Sequence, residues 1–204
     1  MIRWILGLAA VLMAACSAPP SEGAPAAPTA KTATAIYAGG CFWCAEHDLQ
    51  AIPGVIDVVS GYTGGTLPNP RYEDVVTETT GHYEAVRVTY DPARISYRAL
   101  TDRFWRLVDV TDKGGQFCDR GPSYRAAVFV TPEQAPMAEA SRAAAQKALG
   151  QPIVTEILPV ATFYVAEDYH QDYSEKNPVR YRLYRTGCGR DARLRAVWGG
   201  RPPA

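Results

Sequence analysis

Strand-like and helix-like segments are interleaved along this 204-residue chain without a clean strand–helix–strand succession. That mixture predicts an α+β domain, a mixed sheet with helices packed on it. Three observations carry the prediction. Short β-prone runs recur, two segments show helical spacing or composition, and no internal repeat is present. Hydrophobic residues make up 47% and charged residues 21% of the chain, so a sizeable core is affordable in one domain.

The elements follow in order. Thr34 to Tyr37 is a β-prone run that ends at Gly39-Gly40, and Phe42 to Ala51 reads as a helix stopped by Pro53-Gly54. Val55 to Ser60 is a strand closed by the glycine-rich Gly61-Tyr62-Thr63-Gly64-Gly65, and Leu67 to Thr80 reads as irregular. Ala85 to Tyr90 alternates as a strand does and stops at Asp91-Pro92. Ser96 is placed to cap a helix from Tyr97 to Val110, whose apolar stripe is Leu100, Phe104, Leu107 and Val108. A loop at 112–123 leads to a strand at Ala126–Val130 and then to an Ala-rich helix begun by Thr131-Pro132 and ended by Gly150. Ile153 to Leu158 reads as a strand and Glu167 to Asn177 as a short helix, with an Arg-rich remainder.

The N-terminus reads differently from the rest. Met1-Ile2-Arg3 is a short positive start, and the apolar run from Trp4 to Ala15 is too short to span a bilayer, which takes about 20 residues. It fits an export signal at 1–15. The small residues before Cys16 resemble a bacterial lipoprotein signal, with Met13 where that pattern prefers Leu; the plainer reading is an ordinary signal peptide. Residues 16–33 are rich in Ala, Pro, Ser and Thr and read as a tether. The catalytic domain is expected at 34–204. The protein is then exported, periplasmic or membrane-anchored through a lipid on Cys16, where disulfides can form.

Lys plus Arg equals Asp plus Glu, which argues against a nucleic-acid partner. Chemistry concentrates at Gly39-Gly40-Cys41-Phe42-Trp43-Cys44. A glycine pair between strand and helix puts Cys41 at a helix N-terminus, where free N–H groups and the dipole stabilise a thiolate and are expected to lower its pKa. A buried structural cysteine is the alternative. Phe42 and Trp43 are either core packing or the walls of an apolar pocket for a methyl-bearing ligand. In the strand that begins at Glu84, period two puts Glu84, Val86, Val88 and Tyr90 on one face. Burial there raises a carboxyl pKa and lets it hold a proton, as a general acid requires; a turn outward to solvent is the alternative.

Five motifs in order then resemble peptide methionine sulfoxide reductase, the class A family specific for the S epimer. They are Gly40-Cys41-Phe42-Trp43, Gly61-Tyr62-Thr63-Gly64-Gly65, Asn69-Pro70-Arg71-Tyr72-Glu73, Thr79-Thr80-Gly81-His82-Tyr83-Glu84-Ala85-Val86, and Asp119-Arg120-Gly121-Pro122-Ser123-Tyr124-Arg125. In the fifth, Ser123 stands where the family has Gln. Ala166-Glu167-Asp168-Tyr169-His170-Gln171 resembles a later motif.

The resemblance implies a ferredoxin-like two-layer core and assigns roles. Cys41 is the nucleophile on sulfoxide sulfur, Phe42 and Trp43 hold the methyl group, and Glu84 protonates the oxide. Tyr72 and Tyr124 donate hydrogen bonds to that oxygen, and Asp119 orders the polar side. The substrates implied are methionine-sulfoxide-containing proteins and free methionine sulfoxide. The product is a sulfenic acid on Cys41, resolved by a second thiol and recycled by a thioredoxin-like reductant, with no other cofactor. Cys188, between glycines and among arginines, is taken as the resolving thiol; Cys44 is the second choice, and Cys118 precedes the Asp119 loop. No metal site is expected, because only one short-spaced cysteine pair exists. His82 and His170 are expected to position loops, and a monomer is expected. Two rivals are a thiol–disulfide oxidoreductase built on Cys41 and Cys44, which has no need of Glu84 and the tyrosines, and a non-catalytic lipoprotein that binds methionine-rich partners.

Overall fold

The computed structural model describes Met1 and residues 31–199. The signal peptide read at 1–15, Cys16 and nearly all of the tether lie outside the described residues. Strand β1 (Ala33–Gly39) leads into helix α1 (Phe42–Gln50), followed by β2 (Val55–Thr63), the one-turn α2 (Tyr72–Val75) and β3 (Tyr83–Tyr90). Helix α3 (Tyr97–Phe104) precedes a small hairpin of β4 (Gly115–Gln116) and β5 (Asp119–Arg120), then β6 (Ala126–Val130) and α4 (Ala135–Leu149). Strands β7 (Glu156–Pro159) and β8 (Tyr164–Val165) and helices α5 (Tyr173–Lys176), α6 (Pro178–Gly187) and α7 (Arg190–Trp198) follow within the described residues.

Six strands form one mixed sheet in the order β7-β6-β1-β3-β2-β8, and only β6 and β7 run parallel. Its central order, β6-β1-β3-β2, arises because β3 returns between β1 and β2 after the α1 crossover. That is the split βαβ arrangement of a ferredoxin-like core, and the fold is α+β as the sequence predicts.

The period-two reading of β3 describes the layers well. Val86, Val88 and Tyr90 pack with Phe42, Ala45 and Leu49 of α1 and with Leu100 and Phe104 of α3 in the main core. Tyr83 and Ala85 face the other way, with Ala127 and Phe129. Each fully buried Leu or Phe contributes about 1.5–3 kcal/mol. Ser96 caps α3 by accepting the Ala99 N–H at 3.1 Å, and Gly150 ends α4 in the left-handed region, so both sequence punctuation marks act as read.

Four segments differ from the reading. The helix read at 97–110 ends at Phe104 and passes through one tight turn, Trp105–Leu107, before extending at Val108. Val108 and Val110 are fully buried, with the Trp198 indole N–H directed at the Val108 carbonyl at 3.5 Å. The strand read at 153–158 starts at Glu156, because the Ile153 N–H is taken by the Gln146 side chain and the Val154 N–H by Val110. The segment read as a helix over 167–177 is helical only from Tyr173. The Arg-rich remainder forms α6 and α7, whose arginines pair with Asp48, Asp109 and Asp191 while Tyr181 and Trp198 are buried. Among the described residues no helix is long and apolar enough to cross a membrane.

Candidate active site

The site forms where β1 hands the chain to α1. Gly40 makes the turn at φ +76°, and a Cβ there would lie 2.5 Å from the Gln116 side chain, so glycine is required both by conformation and by space. Cys41 is the N-cap residue, and its carbonyl accepts the N–H groups of Cys44 and Ala45 at 3.1 and 3.3 Å. The helix that follows therefore starts beside the Cys41 sulfur.

A cavity of about 80 Å³ is lined by Cys41, Phe42, Trp43, Tyr72, Glu84, Asp119, Tyr124 and Tyr184. It has room for about two or three waters, hence for a group of a few atoms. The structure thus brings seven of the eight sequence-derived site residues to one place. The eighth, Cys188, is joined to Cys118 in a disulfide, with Cα atoms 5.0 Å apart, while Cys41 and Cys44 are free thiols.

Glu84 reaches this cavity from the helix side of β3 and is 2% exposed. Its Oε2 accepts the Phe42 N–H at 3.0 Å. Burial, reinforced by the Asp119 carboxylate, pushes its pKa up to about 8 against the opposing bonds from Phe42 and Tyr124, so it carries a proton at neutral pH. The Tyr72 and Tyr124 hydroxyls are held protonated, by burial first and by the Glu84 charge next, and both remain hydrogen-bond donors.

One expectation is corrected. The helix N-terminus was expected to lower the pKa of Cys41, but burial pushes this thiol up, and hydrogen bonding with Cys44 and the Glu84 charge add to it. The lowered thiol is Cys44, brought to about 7 first by its bond with Cys41 and then by the Arg190 and Arg185 charges, against burial and Asp48. The Cys41 thiol is hydrogen-bonded to Cys44, and of the two sulfurs Cys44 is the more readily ionised.

Aromatic and polar contacts fix the pocket walls. The Trp43 indole N–H donates to His170 Nδ1 at 3.0 Å, and its rings stack on Tyr173 at 3.6 Å with 4° between planes. His170 also meets Phe42 and Tyr72, each at 4.8 Å between ring centres. Glu167 accepts the Tyr62 hydroxyl and the Tyr72 N–H, both at 2.9 Å. Ser123, the departure from the family pattern, donates its N–H and hydroxyl to Glu78 and so braces the loop that presents Tyr124. His82 accepts the Gly65 N–H and bonds the Leu67 carbonyl, pinning the loop after β2.

Tyr184 is the residue the sequence reading missed. Its hydroxyl donates to Asp119 and borders Cys41, and burial above all keeps it protonated. It lies in the Arg-rich stretch, with no motif around it to set it apart. Among the described residues, the one grouping at metal-ligand spacing is Cys118, Asp119 and Cys188, and its two sulfurs are spent on each other.

A paired-thiol centre under a proton-bearing carboxyl and an aromatic wall, on a split βαβ sheet, defines a cysteine-based reductase. The pattern of the family described as peptide methionine sulfoxide reductase matches residues 33–201. The chain is 63% identical to peptide methionine sulfoxide reductase MsrA 2 of Caulobacter vibrioides, over 93% of this chain and 97% of that one. It is 49% identical to MsrA of Bacillus subtilis, over 84% of this chain and 98% of that one. Among solved structures, methionine sulfoxide reductase A of Corynebacterium diphtheriae matches with a TM-score of 0.66 at 35% identity, covering 74% of this chain and 77% of that one. Reduced Mxr1 of Saccharomyces cerevisiae matches with a TM-score of 0.69 at 34% identity, covering 73% and 87%. The chain belongs to the peptide methionine sulfoxide reductase family, and the relatives named here are its A-type members.

Proposed function

We propose that the protein reduces methionine S-sulfoxide, peptide-bound and free, to methionine. The observation that carries this reading is the convergence of Cys41, protonated Glu84 and the Phe42–Trp43 wall on one small cavity. The Cys41 proton passes to Cys44, and the Cys41 sulfur attacks the sulfoxide sulfur. Glu84 gives its proton to the oxide oxygen, which Tyr72 and Tyr124 hold by hydrogen bonds while Asp119 and Tyr184 order the polar side. Methionine leaves, and Cys41 becomes a sulfenic acid. Cys44 then gives up the proton it had received, and its thiolate attacks the Cys41 sulfur; the sulfenic oxygen departs as water with that proton.

The reduced Cys118–Cys188 pair next exchanges with the Cys41–Cys44 disulfide and is oxidised in turn, returning both site thiols. The free Cys41 and Cys44 beside a bonded Cys118–Cys188 match the state expected after that exchange. Cys188 thus acts second rather than first. A thioredoxin-like dithiol reduces Cys118–Cys188 and closes the cycle. In support, the yeast relative Mxr1 is also solved in complex with Trx2, at 27% identity and a TM-score of 0.50. No metal or small cofactor takes part in this scheme.

The protein acts as a monomer outside the cytoplasm, on oxidised exported proteins, tethered through a lipid on Cys16. The sequence of residues 1–33 supports that placement. Intact-mass analysis of the membrane fraction tests it: an unlipidated Cys16 overturns the anchor. The activity is tested with the separate S and R epimers of a peptide sulfoxide. Turnover of the S epimer alone, abolished by Cys41→Ser, is expected; residual turnover in that variant overturns the nucleophile. Disulfide exchange with insulin but no sulfoxide reduction would favour a thiol–disulfide oxidoreductase instead.

A further inference from the structure

Near Asp48, one helical turn from Cys44, lies a buried cation that the proposed reaction does not use. Arg190 opens α7 and is 2% exposed. Its guanidinium donates to the Gly39 carbonyl at 3.3 Å and the Leu107 carbonyl at 2.7 Å and lies 4.5 Å over the Phe117 ring. It therefore touches the residue two before Cys41 and the residue before Cys118, and it sits two residues after Cys188.

Its charge is loosely compensated. Asp48 is the carboxylate it approaches, at 3.5 Å from Nε, and that nitrogen has no hydrogen-bond partner. Asp48 makes its close contact, 2.7 Å, with Arg185 instead. A buried guanidinium that shares its carboxylate with a second arginine favours any further negative charge nearby. The Cys44 sulfur feels this charge, after its bond with Cys41 and burial. It lies one turn before Asp48 on the same face of α1 and is 2% exposed.

We propose that Arg190 is the positioning cation that favours the thiolate of Cys44 in the resolving step. The inference rests on the reading of Cys44 as the resolving thiol. The reason for a fixed cation lies in the order of events. At rest, the Cys41 thiol proton stabilises the charge on Cys44 before any arginine does. Once Cys41 is a sulfenic acid, that thiol is gone, and the tethered guanidinium remains. The thiolate, not the thiol, attacks the Cys41 sulfur, so the cation acts on the second step more than on the first.

The test is a single turnover of the reduced protein with one equivalent of a peptide S-sulfoxide. Methionine release reports the first step, and dimedone trapping of the sulfenic acid with disulfide mapping reports the second. In Arg190→Gln, Cys41–Cys44 bond formation is expected to slow by about tenfold relative to methionine release at pH 7, with sulfenic acid accumulating. The pH midpoint of that bond formation should move up toward the free thiol value of about 8.5 and return downward in Arg190→Lys. An unchanged ratio of the two steps and an unchanged midpoint in the folded Gln variant overturn the proposal. If that variant does not fold, the wild-type and Arg185→Gln profiles decide: a midpoint clearly below about 8.5 that stays there in Arg185→Gln supports the proposal, and a midpoint at or above it, or one that rises to it in Arg185→Gln, overturns it. Failure of the underlying reading looks different. In Cys44→Ser, a Cys41–Cys188 disulfide formed at the wild-type rate shows that Cys44 is not the resolving thiol.

Discussion

Glu84→Gln keeps the shape of the side chain and removes its charge and its transferable proton. The structure assigns opposite signs to the consequences for stability and activity. Burial carries the Glu84 pKa from 4.5 to about 8, so between those values the native state holds a proton that the unfolded state releases. Native stability therefore falls as pH rises through this window, is free of the penalty below about 4.5, and bears it in full above about 8. A shift of that size corresponds to about 5 kcal/mol at the upper end. The Gln amide can still accept the Phe42 N–H, but it brings an N–H₂ group that needs partners, at a cost of about 1–2 kcal/mol. The variant should thus be more stable than wild type by about 3 kcal/mol at pH 9, or about 10 °C in Tm for a domain of this size, and equal to or less stable than wild type at pH 4. Loss of the general acid should cut kcat/KM by about 10²–10⁴. Paired thermal melts at the two pH values and a sulfoxide reductase assay read both effects. A stability difference that does not change with pH, or activity within tenfold of wild type, would refute the assignment of Glu84 as a buried acid that holds its proton.

Three further outcomes are expected. Gly40→Ala forces a Cβ onto the Gln116 side chain at positive φ and should cost about 2–4 kcal/mol in urea denaturation, with loss of activity. Tyr173→Ala removes the stacked partner of Trp43 and should raise KM for a peptide S-sulfoxide severalfold more than it lowers kcat; an unchanged KM counts against Trp43 as the methyl-binding wall. In Cys118→Ser, mass spectrometry after one turnover should find the Cys41–Cys44 bond accumulating, because the second dithiol is broken; recycling by a thioredoxin-like dithiol at the wild-type rate would exclude a relay through Cys118–Cys188.

Much of the site is legible in the chain because its chemistry is written in short contiguous signals. The Gly39-Gly40-Cys41 turn, the face that Glu84 shares with Val86 and Val88, and the Ser96 cap each depend on neighbours within a few residues, and each is found as read. The first turn of α1 also places Cys44 beside Cys41 for the same local reason. Tyr184 and Arg190 were not legible. Each acts on residues more than sixty positions away, and each lies in the Arg-rich remainder with no motif around it. The helices α6 and α7 were missed for a related reason. Their stability comes from ion pairs and from Tyr181 and Trp198 packing on distant elements, not from a continuous apolar stripe.

The cysteines mark the boundary between local and tertiary information. Residue type and spacing by themselves identified a cysteine at a helix start, an acid on an apolar face and an aromatic pair between two sulfurs. Pairing and ionisation were decided by the tertiary structure. The β4–β5 hairpin and the α6–α7 junction meet and join Cys118 to Cys188 across 70 residues, leaving Cys44 as the free thiol beside Cys41. The proton balance between those two thiols follows from burial of Cys41, from the bond between the two sulfurs and then from arginines brought in by the C-terminal helices. Desolvation and Coulomb interactions depend on which groups surround an atom in space, and a linear pattern does not carry that information.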